Sequence, residues 1–249
     1  SVDRATLQSA ASAGGPYLLK AFPTSWNLGT TSLPLATAAA VTFSGEPGTT
    51  ITGTQGPILW LNGPGTFTLE GLTLNSSRSV VGVQNVAGLT IKNCTINAAL
   101  GWSGTAGWFG LFFYPSIFSA NPVPVEIVGN KFGGDNSRND NRGLGISFSN
   151  TYKHHYNATI KNNEFRVYTM MQLYNPNGTY VIEDNWGYFE QSNMTGVGIG
   201  IYHFNPALLV PGIGNNISIK RNHIEIRSTN GAYWPVGIGR QTEFPQNYI

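Results

Sequence analysis

The chain has 249 residues, a formal net charge of +2, and only 10% of its residues are Asp, Glu, Lys or Arg. So small a charge argues against a nucleic-acid groove, which needs clustered Lys and Arg, and so few charged residues argue against a soluble helical fold. The 31 glycines, with abundant Asn, Ser and Thr, favour an all-β chain rich in turns. A single cysteine, Cys94, leaves no internal disulfide. No apolar run approaches the roughly 20 residues of a membrane helix, and no signal-peptide pattern is visible. No linker or low-complexity break divides the chain, so one domain is expected.

The first predicted element is a short helix. Asp3 to Gly15 combines helix formers, apolar spacing, an acidic start and a glycine stop. Such a helix would close the open first coil of a β-stack, whose core and strand edge are otherwise exposed. Residues 1–40 are read as this cap and 41–249 as the β-stack. The regular part begins at Thr49-Thr50-Ile51-Thr52-Gly53.

Six short stretches then repeat one pattern: Leu69-Glu70-Gly71-Leu72, Ile91-Lys92-Asn93-Cys94, Ile127-Val128-Gly129-Asn130, Ile160-Lys161-Asn162-Asn163, Ile182-Glu183-Asp184-Asn185 and Ile219-Lys220-Arg221-Asn222. Their first residues are 22, 36, 33, 22 and 37 positions apart. A spacing that can shrink to 22 but lengthens freely marks stacked β-coils with fixed strands and variable loops. The first residue of each pattern and the residue two before it point inward, and those between point outward. The bend ends in Asn130, Asn163, Asn185 and Asn222 at one register. Asparagine tolerates left-handed backbone, and stacked Asn side chains can hydrogen-bond along a stack.

A second recurrence follows in each coil: Val81-Gly82-Val83, Phe109-Gly110-Leu111, Leu144-Gly145-Ile146, Met171-Gln172-Leu173, Val197-Gly198-Ile199 and Val236-Gly237-Ile238. Each coil therefore has at least two sheet segments. The middle residues are expected to face outward, and most are glycine. Gly110, Gly145, Gly198 and Gly237, with Phe112 and Tyr174 as anchors, are then a candidate oligomer or docking face. The competing explanation is that glycine lets the sheet curve. About eight coils at ~4.8 Å spacing would make a rod roughly 40 Å long.

These features resemble the pectin-lyase-like family of right-handed parallel β-helices, both pectate-lyase-like and tailspike-like. The resemblance rests on the cap Asp3-x-Ala5-x-Leu7-Gln8-x-Ala10-x-x-Ala13-x-Gly15, on Gly45-Glu46-Pro47-Gly48-Thr49-Thr50-Ile51, and on the asparagine register. It implies an all-β, right-handed parallel β-helix with a short N-terminal capping helix. The family includes polysaccharide lyases, hydrolases, viral tailspikes and non-catalytic surface proteins, so fold alone assigns no chemistry. The tailspike likeness implies a homotrimer, or docking on a larger virion or surface assembly, and a place on a virion or extracellular surface.

The catalytic motifs of polygalacturonase-like members, paired Asp, Gly-His-Gly and Arg-x-Lys, are absent as such. The lyase-like alternative would use the loop of Asp135, Asn136, Arg138, Asp140 and Arg142, which also reads as a solvated insertion. Outward columns after the bend hold Lys131, Glu164, Trp186 and His223, then Arg166, Tyr188 and Glu225. Trp186, Tyr188, Arg166 and His223 are candidate carbohydrate-binding residues, because aromatic faces beside carboxylates suit sugars. Glu164 and Glu225 are the candidate catalytic pair, but strand spacing puts them ~12 Å apart, too far for a glycosidase pair without long side-chain reach. The alternative is a charge ladder, with Glu164 facing Arg166 and Lys161, Glu183 and Lys220 pairing across strands. Adjacent His154 and His155 face opposite ways, and His203 and His223 stand apart, so no metal site and no cofactor are expected. Six Asn-x-Ser/Thr sequons, at Asn75, Asn93, Asn157, Asn177, Asn193 and Asn216, exceed chance only weakly.

The expected function is a non-catalytic structural or adhesive surface protein, such as a viral appendage or capsid-decorating subunit that can bind polysaccharide. A polysaccharide lyase or glycoside hydrolase and a secreted or cell-surface fibre subunit are the alternatives. Neither nucleic-acid binding nor membrane insertion is expected.

Overall fold

Apolar residues two apart, followed by a two-residue bend, dictate strand, corner, strand. The computed structural model describes residues 2–21, 25–54, 56–98, 109–114, 120–133, 144–148, 154–167, 169–191, 197–203, 206–228 and 236–242. They form three sheets of eight strands each, and every third strand along the chain joins the same sheet. Neighbouring strands run parallel throughout, as in Leu89–Lys92 against Val125–Val128. This is the topology of a parallel β-helix. Sheet A carries strands such as Tyr156–Lys161, sheet B the short strands after the bend such as Glu164–Phe165, and sheet C strands such as Thr169–Tyr174.

The inner columns form as the alternation predicts. Ile91, Ile127, Ile160, Ile182 and Ile219 pair in turn, and the first four are completely buried. Each buried isoleucine contributes ~1.5–3 kcal/mol, so the column is a main source of stability. Aromatic residues fill the core beside it. Phe132 stacks on Phe165 at 4.7 Å, and Phe113 on Phe148 at 4.2 Å.

The bend between sheets A and B divides its work between two residues. The left-handed residue is the one before the asparagine register, which Leu72 and Cys94 occupy in the first two repeats: Gly71, Asn93, Gly129, Asn162, Asp184 and Arg221 have φ between +52° and +69°. The asparagines of the ladder instead turn inward and are buried or part-buried. Asn130 donates to Asn163 at 3.0 Å, Asn163 to Asn185 at 2.9 Å and Asn185 to Asn222 at 2.8 Å. The same Nδ2 groups also donate to the carbonyls of Ile91, Ile127 and Ile160, and Asn222 Nδ2 donates to that of Ile182. Cys94 ends the ladder, its backbone N–H donating to Asn130 Oδ1 at 2.9 Å.

The sheets begin earlier than the sequence pattern indicates. Gly15–Leu19, Trp26–Asn27 and Leu33–Ala36 lie within residues 1–40, yet each supplies the first strand of one sheet. Proline and variable loops hide these short strands from a pattern search. The helix Val2–Ala13 covers this end and buries Leu7 and Ala11. Arg4 fastens it, donating to the carbonyls of Leu28 at 3.0 Å, Thr31 at 2.6 Å and Ser32 at 2.8 Å. Asp3 accepts from the Asn27 backbone N–H at 2.9 Å.

Sheet C departs from the expected register. Val81, Gly82 and Val83 pair with Leu111, Phe112 and Phe113, two residues beyond the expected Phe109-Gly110-Leu111. The shift sets Phe113 in the core beside Phe148. Phe112 thus shares an outward column with Gly82, Ser147, Gln172, Gly200 and Gly239. Gly110 and Gly145 lie outside that column and are buried. A Cβ on Gly110 would stand 2.9 Å from Phe132 Cδ1, and one on Gly145 2.8 Å from Phe165 Cδ1. These two glycines admit core rings to the backbone and build no outer docking face. Gly198 is buried as well. Gly237 follows Val236, which pairs with Val197.

Candidate functional site

The outer surface of sheet B gathers the residues read as sugar-binding. Lys131 pairs with Glu164, Glu164 with Trp186, and Trp186 with His223, while Tyr188 pairs with Glu225. Phe132 and Phe165 point into the core, so alternation sends their neighbours outward. Trp186 and Tyr188 lie nearly parallel, with ring centroids 6.1 Å apart and 8° between planes. The Arg166 guanidinium carbon stands 5.5 Å from the Trp186 ring centroid, within cation–π range. Arg166 Nε also donates to Glu164 Oε1 at 2.7 Å. Both members of this ion pair are about one-third exposed, so it orients the side chains more than it stabilises the fold.

The two candidate catalytic carboxylates are thereby separated. Glu164 is engaged by Arg166, and the strand Trp186–Gln191 stands between it and Glu225. They do not face one another across one cleft. On sheet A the expected charge ladder forms in part. Lys161 pairs with Glu183 at 3.1 Å, and Arg221 binds Asp184 at 2.6 Å and Glu183 at 3.3 Å. The Lys161 ammonium beside Glu183 and the Arg221 guanidinium beside Asp184 hold both carboxyls below their ordinary range.

Sheet C presents a different surface. Trp60 stacks on Tyr114 at 4.4 Å, Phe112 meets Tyr114 edge-on at 4.5 Å, and Tyr174 stacks on Tyr202 at 4.7 Å. Outward glycines make room for these rings. The Cβ position of Gly82 lies 2.8 Å from Tyr114 Cε2, and that of Gly200 lies 2.5 Å from the Tyr202 ring. Burial, then the neighbouring Tyr202, push the Tyr174 hydroxyl up to about 12. Phe112 and Tyr174, expected as anchors, are therefore outward and half-buried, and sequence reasoning missed Trp60, Tyr114 and Tyr202 beside them. Trp60 and Tyr114 come from strands separated by a whole repeat, so no local pattern joins them.

No protein-family model, curated protein or solved structure matches this chain. Its function must be argued from side chains.

The remaining candidates have structural roles or fall elsewhere. His154 is buried, with Nε2 3.0 Å from the Tyr174 carbonyl and Nδ1 3.5 Å from the Tyr180 hydroxyl. Among the described residues no group of three His, Cys, Asp or Glu could hold a metal. The loop of Asp135, Asn136, Arg138, Asp140 and Arg142 lies outside the described residues, as does Asn193. Asn177 is buried and its amide donates to Asn175 and Leu208, so that sequon is closed to a glycan. Asn75 accepts from Asn97 at 2.8 Å, whereas Asn93, Asn157 and Asn216 are exposed.

Proposed function

We propose that the chain is a right-handed parallel β-helix of about eight coils, of the pectin-lyase-like class, acting as a non-catalytic adhesive surface protein that binds glycan on sheet B. The observation that carries this reading is the parallel Trp186–Tyr188 pair, outside the stack and oriented by the Arg166–Glu164 ion pair. Ring faces stack on the C–H faces of a sugar, while guanidinium and carboxylate bond its hydroxyls. A virion appendage or capsid-decorating subunit is the setting we favour, by analogy with tailspikes. The half-buried aromatic surface of sheet C favours a second role, packing against a like chain or a larger assembly through Phe112 and Tyr174.

The test is a polysaccharide-binding screen with wild type and Trp186→Ala. Binding lost in the variant, without release of reducing ends or unsaturated products, is the expected result. Product release that disappears in Glu164→Gln or Glu225→Gln would replace this reading with the hydrolase or lyase one. Unchanged binding in Trp186→Ala would remove sheet B from the site.

A further inference from the structure

The outer surface of sheet A contains a groove of about 380 Å³, at the small end of ligand pockets. Its shape comes from one missing side chain. Thr66, Gly88, Pro124 and Asn157 succeed one another across four strands, and Gly88 opens a notch between the Thr66 and Pro124 walls. Gly88 and Thr90 share a strand, as do Pro124 and Glu126, so the next outward column reads Thr68, Thr90, Glu126, Thr159.

Glu126 is the anomaly of this sheet. Glu70 is paired with Lys92 at 3.2 Å, Glu183 with Lys161 and Arg221, and Asp184 with Arg221. Glu126 is exposed, and among the described residues it has no ion-pair partner. Its cross-strand neighbours are the hydroxyls of Thr90 and Thr159. A lone carboxylate among hydroxyls is too few anionic ligands for a calcium ion. It does match an ammonium, whose three N–H donors one carboxylate and two hydroxyls can accept.

We propose that this groove binds a protonated amino sugar, with the ammonium on Glu126 and the sugar hydroxyls on Thr68, Thr90, Thr159 and Asn157. The hydroxyl lining distinguishes a sugar from a plain alkyl polyamine, which would leave the threonines bonded only to water. The site shares its ligand class with the proposed function but none of its residues, so either can fail alone.

The test uses the full chain and isothermal titration with three probes: a glucosamine hexamer, its fully N-acetylated counterpart, and spermine. Binding of the glucosamine hexamer is expected, weakened about tenfold or more in Glu126→Gln, as for loss of one charge-assisted hydrogen bond. Thr90→Val should weaken it less, and Glu70→Gln, whose carboxylate lies outside the groove, should leave it unchanged. Binding should also disappear when the pH is raised until the amine is neutral. The proposal is overturned by no binding, by equal binding of the acetylated hexamer, by spermine binding as tightly as the sugar, or by undiminished binding in Glu126→Gln. Glu126 is exposed, so Glu126→Gln is expected to fold normally, and an unchanged unfolding curve verifies this.

Discussion

Asn163 Nδ2 donates to Asn185 Oδ1 at 2.9 Å inside the bend between sheets A and B. The same Asn163 side chain donates to the Ile127 carbonyl and accepts from the Asn130 backbone N–H and Nδ2. One asparagine thus satisfies buried groups on the repeats before and after its own.

Asn163→Ala would leave several of those groups without partners at once. The expected cost is roughly 2–5 kcal/mol, taking 1–3 kcal/mol for each buried group left unsatisfied. Asn163→Asp should also destabilise, because a carboxylate cannot donate to Ile127 or Asn185. Urea unfolding measures both, and a wild-type midpoint for Asn163→Ala would show that the ladder is dispensable.

The inward and outward glycines of sheet C should respond differently. Gly145→Ala drives a methyl group against the Phe165 ring and the Met170 carbonyl, and overpacking of this kind costs about 1–3 kcal/mol. Gly200→Ala meets the Tyr202 ring first, which can swing outward at the loss of an aromatic pair worth roughly 0.5–1.5 kcal/mol. Thermal unfolding should rank Gly145→Ala below Gly200→Ala. The reverse order would contradict the orientation of Gly145.

Arg4→Met removes three hydrogen bonds to carbonyls of the first repeat. A loss of about 2 kcal/mol is expected, in the range for hydrogen bonds to a charged group. Detachment of the helix would also uncover strand edges, so the variant should scatter light at concentrations where wild type does not. Unchanged stability and unchanged scattering together would mean that the helix is held without Arg4, by buried Leu7 and Ala11 and by the Asp3–Asn27 hydrogen bond.

Cys94 should report unfolding. Burial pushes its thiol up to about 11, so at pH 8 the native protein should not react with a thiol reagent, while the unfolded chain should react promptly. Because the folded state disfavours the thiolate, its stabilising contribution is complete below the ordinary thiol value near 9.0 and falls as the pH rises toward about 11. Fast labelling of native protein at pH 8 would contradict the burial.

By itself the sequence determined the parallel stack. The Ile column from Ile91 to Ile219, the asparagine register from Asn130 to Asn222 and the helix at Val2–Ala13 were all legible, because strand alternation, bends and caps are local chemistry repeated in one chain. So were the outward columns that unite Glu164, Trp186 and His223, since a short bend of fixed length carries the register from sheet A to sheet B. Sheet C follows loops of variable length, which carry no register. Only the tertiary structure decided there that Gly145 faces Phe165, that Phe112 stands in the column of Gly82, and that Trp60 meets Tyr114. The same holds for the groove at Gly88 and for Glu126 beside it, which has no ion-pair partner among the described residues. Both depend on which residues lie on the neighbouring strands, and packing between repeats fixes that, not the order of residues within one.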